Sequence, residues 1–279
     1  MAVAYLTEGA TDLAAGNWSD ATGFADSATL VINSGSQTIT NTLQPSLANG
    51  IDYLDVLPGF SGNIGGSGGS LCVETRASLY NEATVDPRIR YWASGGTFYY
   101  SGAGAGAAGD ACHFWQQDGG GRGYLTGTYT QRNIHLQNGT LDVGANVAGE
   151  TAYVWYFAGG SATVQYNATG AFTYRVSGGD HIIKRGAQTG LYQTGGSVRL
   201  DGQGSTYAAT ELHGGTMQIV NSGTHTAMLL LGGVLDLSRL ARPMTITTLI
   251  HAPTARVIPS KLLTITNNKP IGTGAQGLT

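Results

Sequence analysis

Charge is scarce in this 279-residue chain. Lys, Arg, Asp and Glu together make up 11% of it, 14 basic against 17 acidic residues, for a formal net charge of −3. With no basic stripe, the electrostatic footprint of a nucleic-acid binder is missing. So little charge beside 41% hydrophobic residues also excludes most highly charged disordered chains. Cysteine occurs only at Cys72 and Cys112, too few for a disulfide framework and without the CxxC spacing of a metal site, so both read as buried thiols. No 18 apolar residues run together, and Met1–Glu8 lacks a basic segment leading into an apolar one. Neither membrane insertion nor a signal peptide is therefore expected, and synthesis in a cytoplasm is. The six histidines show no HExxH or HxH spacing, and there is no GxSxG, no cysteine-nucleophile signature and no acidic calcium repeat. No metal or cofactor is expected.

Glycine is what the chain has in excess, 44 residues of it. Five pairs, Gly159-Gly160, Gly178-Gly179, Gly195-Gly196, Gly214-Gly215 and Gly232-Gly233, recur at intervals of 17 to 19 residues. Asn138-Gly139 continues the series backward, and looser members stand at Gly119-Gly120, Gly95-Gly96 and Gly68-Gly69. A fixed period in this range marks a repeat architecture. After the pairs come short runs such as Ser161–Val164, Ser197–Leu200, Thr216–Ile219 and Val234–Leu237, each alternating apolar with mostly polar residues. That is the period of a half-buried strand.

Superposing the repeats puts Leu141, Ala162, His181, Val198, Met217 and Leu235 in one inward column, and Val143, Val164, Ile183, Leu200, Ile219 and Leu237 in another. Asp142, Thr163, Ile182, Arg199, Gln218 and Asp236 fall between them and face outward. The spacing predicts an all-β fold, a single-stranded parallel, right-handed β-helix or solenoid with about 19 residues per coil. Residues 1–28 read as an N-terminal capping or attachment segment, 29–266 as the solenoid body, and 267–279 as a C-terminal tail that is frayed or orders on a partner. The glycine tracts 102–109 and 119–123 are expected to leave the coil as loops, and nothing around them supports a phosphate cradle.

Three segments give the chain a resemblance: Gly16-Asn17-Trp18-Ser19-Asp20; the run from Ile51 through Leu57-Pro58-Gly59-Phe60 to Gly65; and Gly232–Leu237 leading into Thr245–Leu249. In these the chain resembles a group of bacteriophage virion proteins that share the architecture. The resemblance implies a right-handed β-helix in a tailed-phage particle, often a trimer, acting as a capsid decoration or as a receptor-binding spike. Its implied partners are further copies in a homotrimer, the major capsid protein or other virion proteins, and, for a spike, a host glycan. It carries no catalytic motif, and its location is the virion, assembled in the host cytoplasm.

A glycan-cleaving solenoid needs two carboxylates about 5 to 10 Å apart, or acidic metal ligands beside a basic proton acceptor. The outward column cannot supply the pair, because four coils lie between Asp142 and Asp236. The best remaining constellation is Asp180, His181, Lys184, Arg199 and Asp201 on two successive coils. His181 sits in an inward column as a hydrogen-bonded core residue would, and Lys184 can pair with Asp201 across coils. The chain is therefore expected not to be an enzyme. Aromatic residues crowd the middle of the sequence, and Tyr91, Trp92, Tyr99, Tyr100, Trp115, Trp155 and Tyr156 are candidates for an oligomer interface or a glycan platform. Their alternative is a large core. The expected role is a capsid decoration or cement protein that binds and stabilises the head surface as an oligomer. The alternative is a tailspike or fibre that binds or depolymerises a host surface glycan, with Asp180, Lys184, Arg199 and Asp201 as its working surface. An adhesin-like solenoid is disfavoured by the missing signal.

Overall fold

The computed structural model describes residues 3–6, 10, 19, 28–35, 38–39, 51–56, 63–64, 70–74, 88–91, 97–103, 111–149, 153–165, 173–184, 188–221 and 223–271. Every regular element among them is a β-strand, and the strands pair in parallel. The chain forms two compact units, residues 1–148 and 149–279.

The first unit holds β1 (Val3–Tyr5), β2 (Ala28–Ile32), β3 (Thr38–Ile39), β4 (Ile51–Val56), β5 (Asn63–Ile64), β6 (Ser70–Glu74), β7 (Arg88–Tyr91), β8 (Thr97–Ala103), β9 (Ala111–Gln117), β10 (Arg122–Leu136), β11 (Thr140–Val143) and most of β12 (Val147–Gly149). One ladder runs β1, β2, β4, β7, β9 and the second half of β10. Another runs β6, β8, the first half of β10 and β11. β1 lies within the segment expected to cap the fold, yet it joins the first ladder, pairing Val3 to Thr29 and Tyr5 to Val31.

The second unit holds β13 (Val154–Phe157), β14 (Ser161–Val164), β15 (Thr173–Val176), β16 (Asp180–Ile183), β17 (Gln188–Gln193), β18 (Ser197–Asp201), β19 (Thr206–Leu212), β20 (Thr216–Asn221), β21 (Thr224–Leu230), β22 (Val234–Asp236), β23 (Met244–His251), β24 (Arg256–Ile258) and β25 (Leu263–Pro270). Odd-numbered strands stack in one ladder and even-numbered strands in the other. Each coil therefore contributes one strand to each ladder. Along the even ladder, register partners stand 19, 17, 19, 18 and 22 residues apart. This is a right-handed β-solenoid of coils of about 19 residues, the hand that parallel crossovers adopt almost without exception. β25 runs to Pro270, so the ladder reaches into the segment expected as a tail.

Both inward columns are where the sequence puts them. Ala162, His181, Val198, Met217 and Leu235 stack in register, and Val164, Ile183, Leu200, Ile219 and Leu237 are fully buried. Each buried aliphatic side chain of this kind contributes about 1.5–3 kcal/mol. In β19, β21 and β23 two consecutive outward residues interrupt the alternation, at Ala208-Ala209, Thr226-Ala227 and Thr247-Thr248.

The glycine pairs are the corners between the two ladders. Gly196 has φ of 67°, and a Cβ there would lie 2.6 Å from both the Gly178 carbonyl carbon and the Gly179 oxygen of the preceding coil. The first glycine of a pair is held for a different reason: at Gly214 a Cβ would meet the Thr194 carbonyl oxygen at 2.6 Å. One position thus needs a left-handed backbone and its neighbour needs the space. Buried polar side chains serve these corners. Gln193 Nε2 donates to the carbonyls of Gly195, Gly196 and Thr216 at 3.2, 3.0 and 3.0 Å. In the first unit, Gln117 Nε2 donates likewise to Gly121 and Thr140 at 3.4 and 3.1 Å.

The 119–123 tract does not leave the coil as expected. β10 begins at Arg122, and Thr140 donates its amide to the Gly121 carbonyl at 2.8 Å. Gly123 takes an inward position in register with Leu141, where a Cβ would sit 3.0 Å from the Trp115 ring. The same Cβ would meet Gln117 Oε1 at 2.8 Å and Leu141 Cδ1 at 2.9 Å, so the missing side chain makes room for all three. Residues 104–110 of the other tract lie outside the described residues.

Candidate functional site

Of the polar residues singled out by sequence, Arg199 and Asp201 of the constellation and Gln218 and Asp236 of the outward column come together on the outer face of the even ladder, as a bonded lattice. Arg199, Gln218 and Asp236 are register partners on β18, β20 and β22. The Arg199 guanidinium pairs with Asp201 Oδ2 at 2.9 Å. Asn221 Nδ2 donates to the other carboxylate oxygen of Asp201 at 2.7 Å. Gln218 Nε2 donates to Asp236 Oδ2 at 3.0 Å, and the Ser238 hydroxyl and amide donate to Asp236 Oδ1 at 2.6 and 2.9 Å. The Ser238 hydroxyl first, then the Gln218 amide, hold the Asp236 carboxyl below its usual range.

The expected pairing of Lys184 with Asp201 is not formed. A register shift between Leu200 and Asp201 carries Asp201 onto Asn221, and its two oxygens go to Arg199 and Asn221. Lys184 extends the ladder through its amide, which donates to the Val164 carbonyl at 2.9 Å. Asp180 is exposed at the start of β16, opposite Ser197.

His181 is a core residue, as its column implies. It is 2% exposed and stacks on Phe157 with ring centroids 4.8 Å apart. The Ala162 amide donates to Nδ1 at 3.1 Å, which leaves Nε2 to carry the proton and donate to the Gly178 carbonyl at 2.7 Å. Burial lowers its pKa, outweighing the Gly178 carbonyl and the nearby Asp180, which both favour the cation. Neither ring nitrogen is available to a substrate.

The aromatic candidates divide by the phase of their strands. Trp155 is 0% exposed and Trp115 1%, so both belong to the core and not to an interface or platform. Trp155 meets Tyr174 edge-on at 5.8 Å. Tyr156, one residue on, faces out at 37% exposure, with its hydroxyl 3.2 Å from the Ser177 hydroxyl. Tyr91 lies on β7 and Tyr99 and Tyr100 on β8, where only their backbone positions are defined; Trp92 lies outside the described residues.

Tyr156 belongs to a row that aromatic density in the sequence does not reveal. Down the outer face of the odd ladder, Tyr156, Arg175, Tyr192, Glu211, Leu229, Ile250 and Lys269 are successive register partners. Arg175 lies over the Tyr192 ring at 5.9 Å, and the Tyr192 ring lies across Gly190, 2.8 Å from where a Cβ would be. A signal for the row does exist in the sequence: its first five members each stand three residues before a glycine pair.

Among the described residues no group of three or more His, Cys, Asp or Glu could hold a metal ion, and no helix is long and apolar enough to cross a membrane. In comparisons with protein-family models, curated proteins and solved structures, nothing matches the chain. The two outer faces therefore have to be read by their chemistry. The even-ladder face offers carboxylates already occupied, and the odd-ladder face offers rings, aliphatic groups and separated charges.

Proposed function

We propose that this chain is a structural β-solenoid that works by association, and, following its resemblance to bacteriophage virion proteins, that it decorates and stabilises a phage head as an oligomer. The observation that carries this reading is that His181 and Asp201 of the 180–201 constellation are already committed, which leaves Asp180 as its one exposed carboxylate. His181 is locked between two backbone groups, and Asp201 between Arg199 and Asn221. A general acid or base must be reachable and must change its bonding during turnover, and these groups are held against both. The test is the copy number of the protein on purified particles, by quantitative mass spectrometry against the major capsid protein. Hundreds of copies per particle support decoration of the head; absence from particles overturns the virion reading.

A second reading has one observation in its favour, the outward polar lattice of Arg199, Asp201, Gln218, Asn221 and Asp236. Such a surface suits hydroxyl-rich ligands, as a tailspike or fibre binding a host glycan would need. A few to a few tens of copies per particle, with reducing ends released from host polysaccharide, would establish it in place of the first.

A further inference from the structure

The row on the outer face of the odd ladder has the same character in both directions about Tyr192. On either side stand charges of opposite sign, Arg175 on β15 and Glu211 on β19, and beyond them the apolar groups Tyr156 on β13 and Leu229 on β21. Coils in a parallel ladder rise about 4.8 Å, so Arg175 and Glu211 lie about 9.6 Å apart along the stack, too far to bond one another directly. Arg175 is exposed and Glu211 is half-buried, bonded at 3.0 Å to the exposed His213 ring. Beside the row, Gly190, Ala209 and Ala227 stand in register, and the Tyr192 ring covers the buried Gly190.

We infer that this face binds a second copy of the chain, antiparallel, about a two-fold axis that runs along the strand direction at β17. Such an axis inverts height and preserves position along the strand. Tyr192 then meets Tyr192 of the second copy, Arg175 meets Glu211 in both directions, and Tyr156 meets Leu229. That is the self-complementarity an isologous contact requires. A three-fold arrangement about an axis parallel to the stack, with this face inward, puts every residue at the height of its own copies, Arg175 with Arg175 and Glu211 with Glu211. A centre at β19 sets Glu211 against itself. Only the centre at β17 matches both charges. Pairing through this face needs no virion, so its test is separate from the copy-number measurement.

Five coils, β13 to β21, give a strip about 19 Å long, small for a protein interface, and the dimer is expected to be reversible in the micromolar range. Sedimentation equilibrium of the full chain up to about 100 µM reads it directly. The expected mass rises from 28.8 kDa towards twice that value. Arg175→Glu and Glu211→Arg should each hold the chain at the monomer mass, because each sets like charges together twice. Mixing the two variants should restore the dimer: the glutamate introduced in one chain faces the arginine introduced in the other, and the native Glu211 of the first chain faces the native Arg175 of the second. Both positions lie on the outer face, and Glu211→Arg also removes the His213 contact, so unfolding of each variant measured beside the parent separates loss of contact from loss of fold. A wild-type monomer throughout the range, a trimer, or single variants that still dimerise and fail to cross-pair would each overturn the inference.

Discussion

Acidification should destabilise the second unit through His225, by an amount that follows from its surroundings. The ring is 0% exposed and stacks on Tyr207 with centroids 4.8 Å apart and planes 12° apart; Nδ1 lies 2.9 Å from the Thr210 hydroxyl. Desolvation lowers its pKa from 6.5 to about 3. The folded state thus takes up this proton at lower pH than the unfolded state. The stability is present above 6.5 and is lost as pH falls through the window down to about 3. Between pH 7 and pH 5 the linkage removes about 2 kcal/mol. Carboxylates and His181 also contribute to the pH dependence, so the decisive quantity is a difference. Urea unfolding of the wild type and of His225→Phe, each at pH 7 and pH 5, should show the wild type losing about 2 kcal/mol more than the variant. The His225 ring resonance should also stay fixed across that range in the folded protein. Equal losses in both proteins, or a ring that titrates near 6.5 without unfolding, would refute the reasoning.

Gly196 and Gly204 both have positive φ, at 67° and 70°, but nothing lies within 4 Å of a Cβ at Gly204. Gly204→Ala should cost about 1–2 kcal/mol of backbone strain, and Gly196→Ala clearly more, read as a larger drop in thermal midpoint. Leu200→Asp should abolish soluble folding, because an unpaired carboxylate would enter the core; a variant as thermostable as the parent would refute the column assignment. His181→Phe keeps the contact with Phe157 but removes the acceptor from the Ala162 amide. It should cost about 1–3 kcal/mol and speed hydrogen exchange at Ala162; unchanged exchange would mean that bond is not made.

The columns are legible in the sequence because each glycine pair fixes the phase of the strand that follows. With the corner placed, inward and outward positions are determined, and Leu200, Ile219 and His181 lie where counting puts them. The strands that precede each pair need the count to run backward, and aromatic density is no substitute for it. Density groups Trp155 with Tyr156, whereas alternation sends one into the core and its neighbour to the surface. Counting three residues back from each pair brings Tyr156, Arg175, Tyr192 and Glu211 together. The pairing expected for Lys184 fails for a reason no period can reveal, a register irregularity that skips Val220 and brings Asn221 opposite Asp201, whose oxygens go to Asn221 and Arg199. Gly123 is similar: its composition suggests a loop, but its role is set by the bulk of Gln117, Leu141 and Trp115 around it, contacts that no period reveals.

The contrast between the two outer faces follows from what neighbours along a stack can do for one another. Positions one coil apart are close enough to bond, and the even-ladder face uses this: Asp201 takes Asn221, and Gln218 reaches Asp236. A ligand arriving there has to displace bonds already made. On the odd-ladder face Tyr192 separates the two charges by two coils, so the stack cannot satisfy Arg175 and Glu211 with each other. Opposite charges held apart at a fixed spacing, with apolar groups at both ends, are best satisfied by a surface carrying the same spacing in reverse order. The chain itself carries that surface. One face is bonded within the stack; that the other takes a second copy is the inference drawn above, and the charge-swapped pair tests it directly.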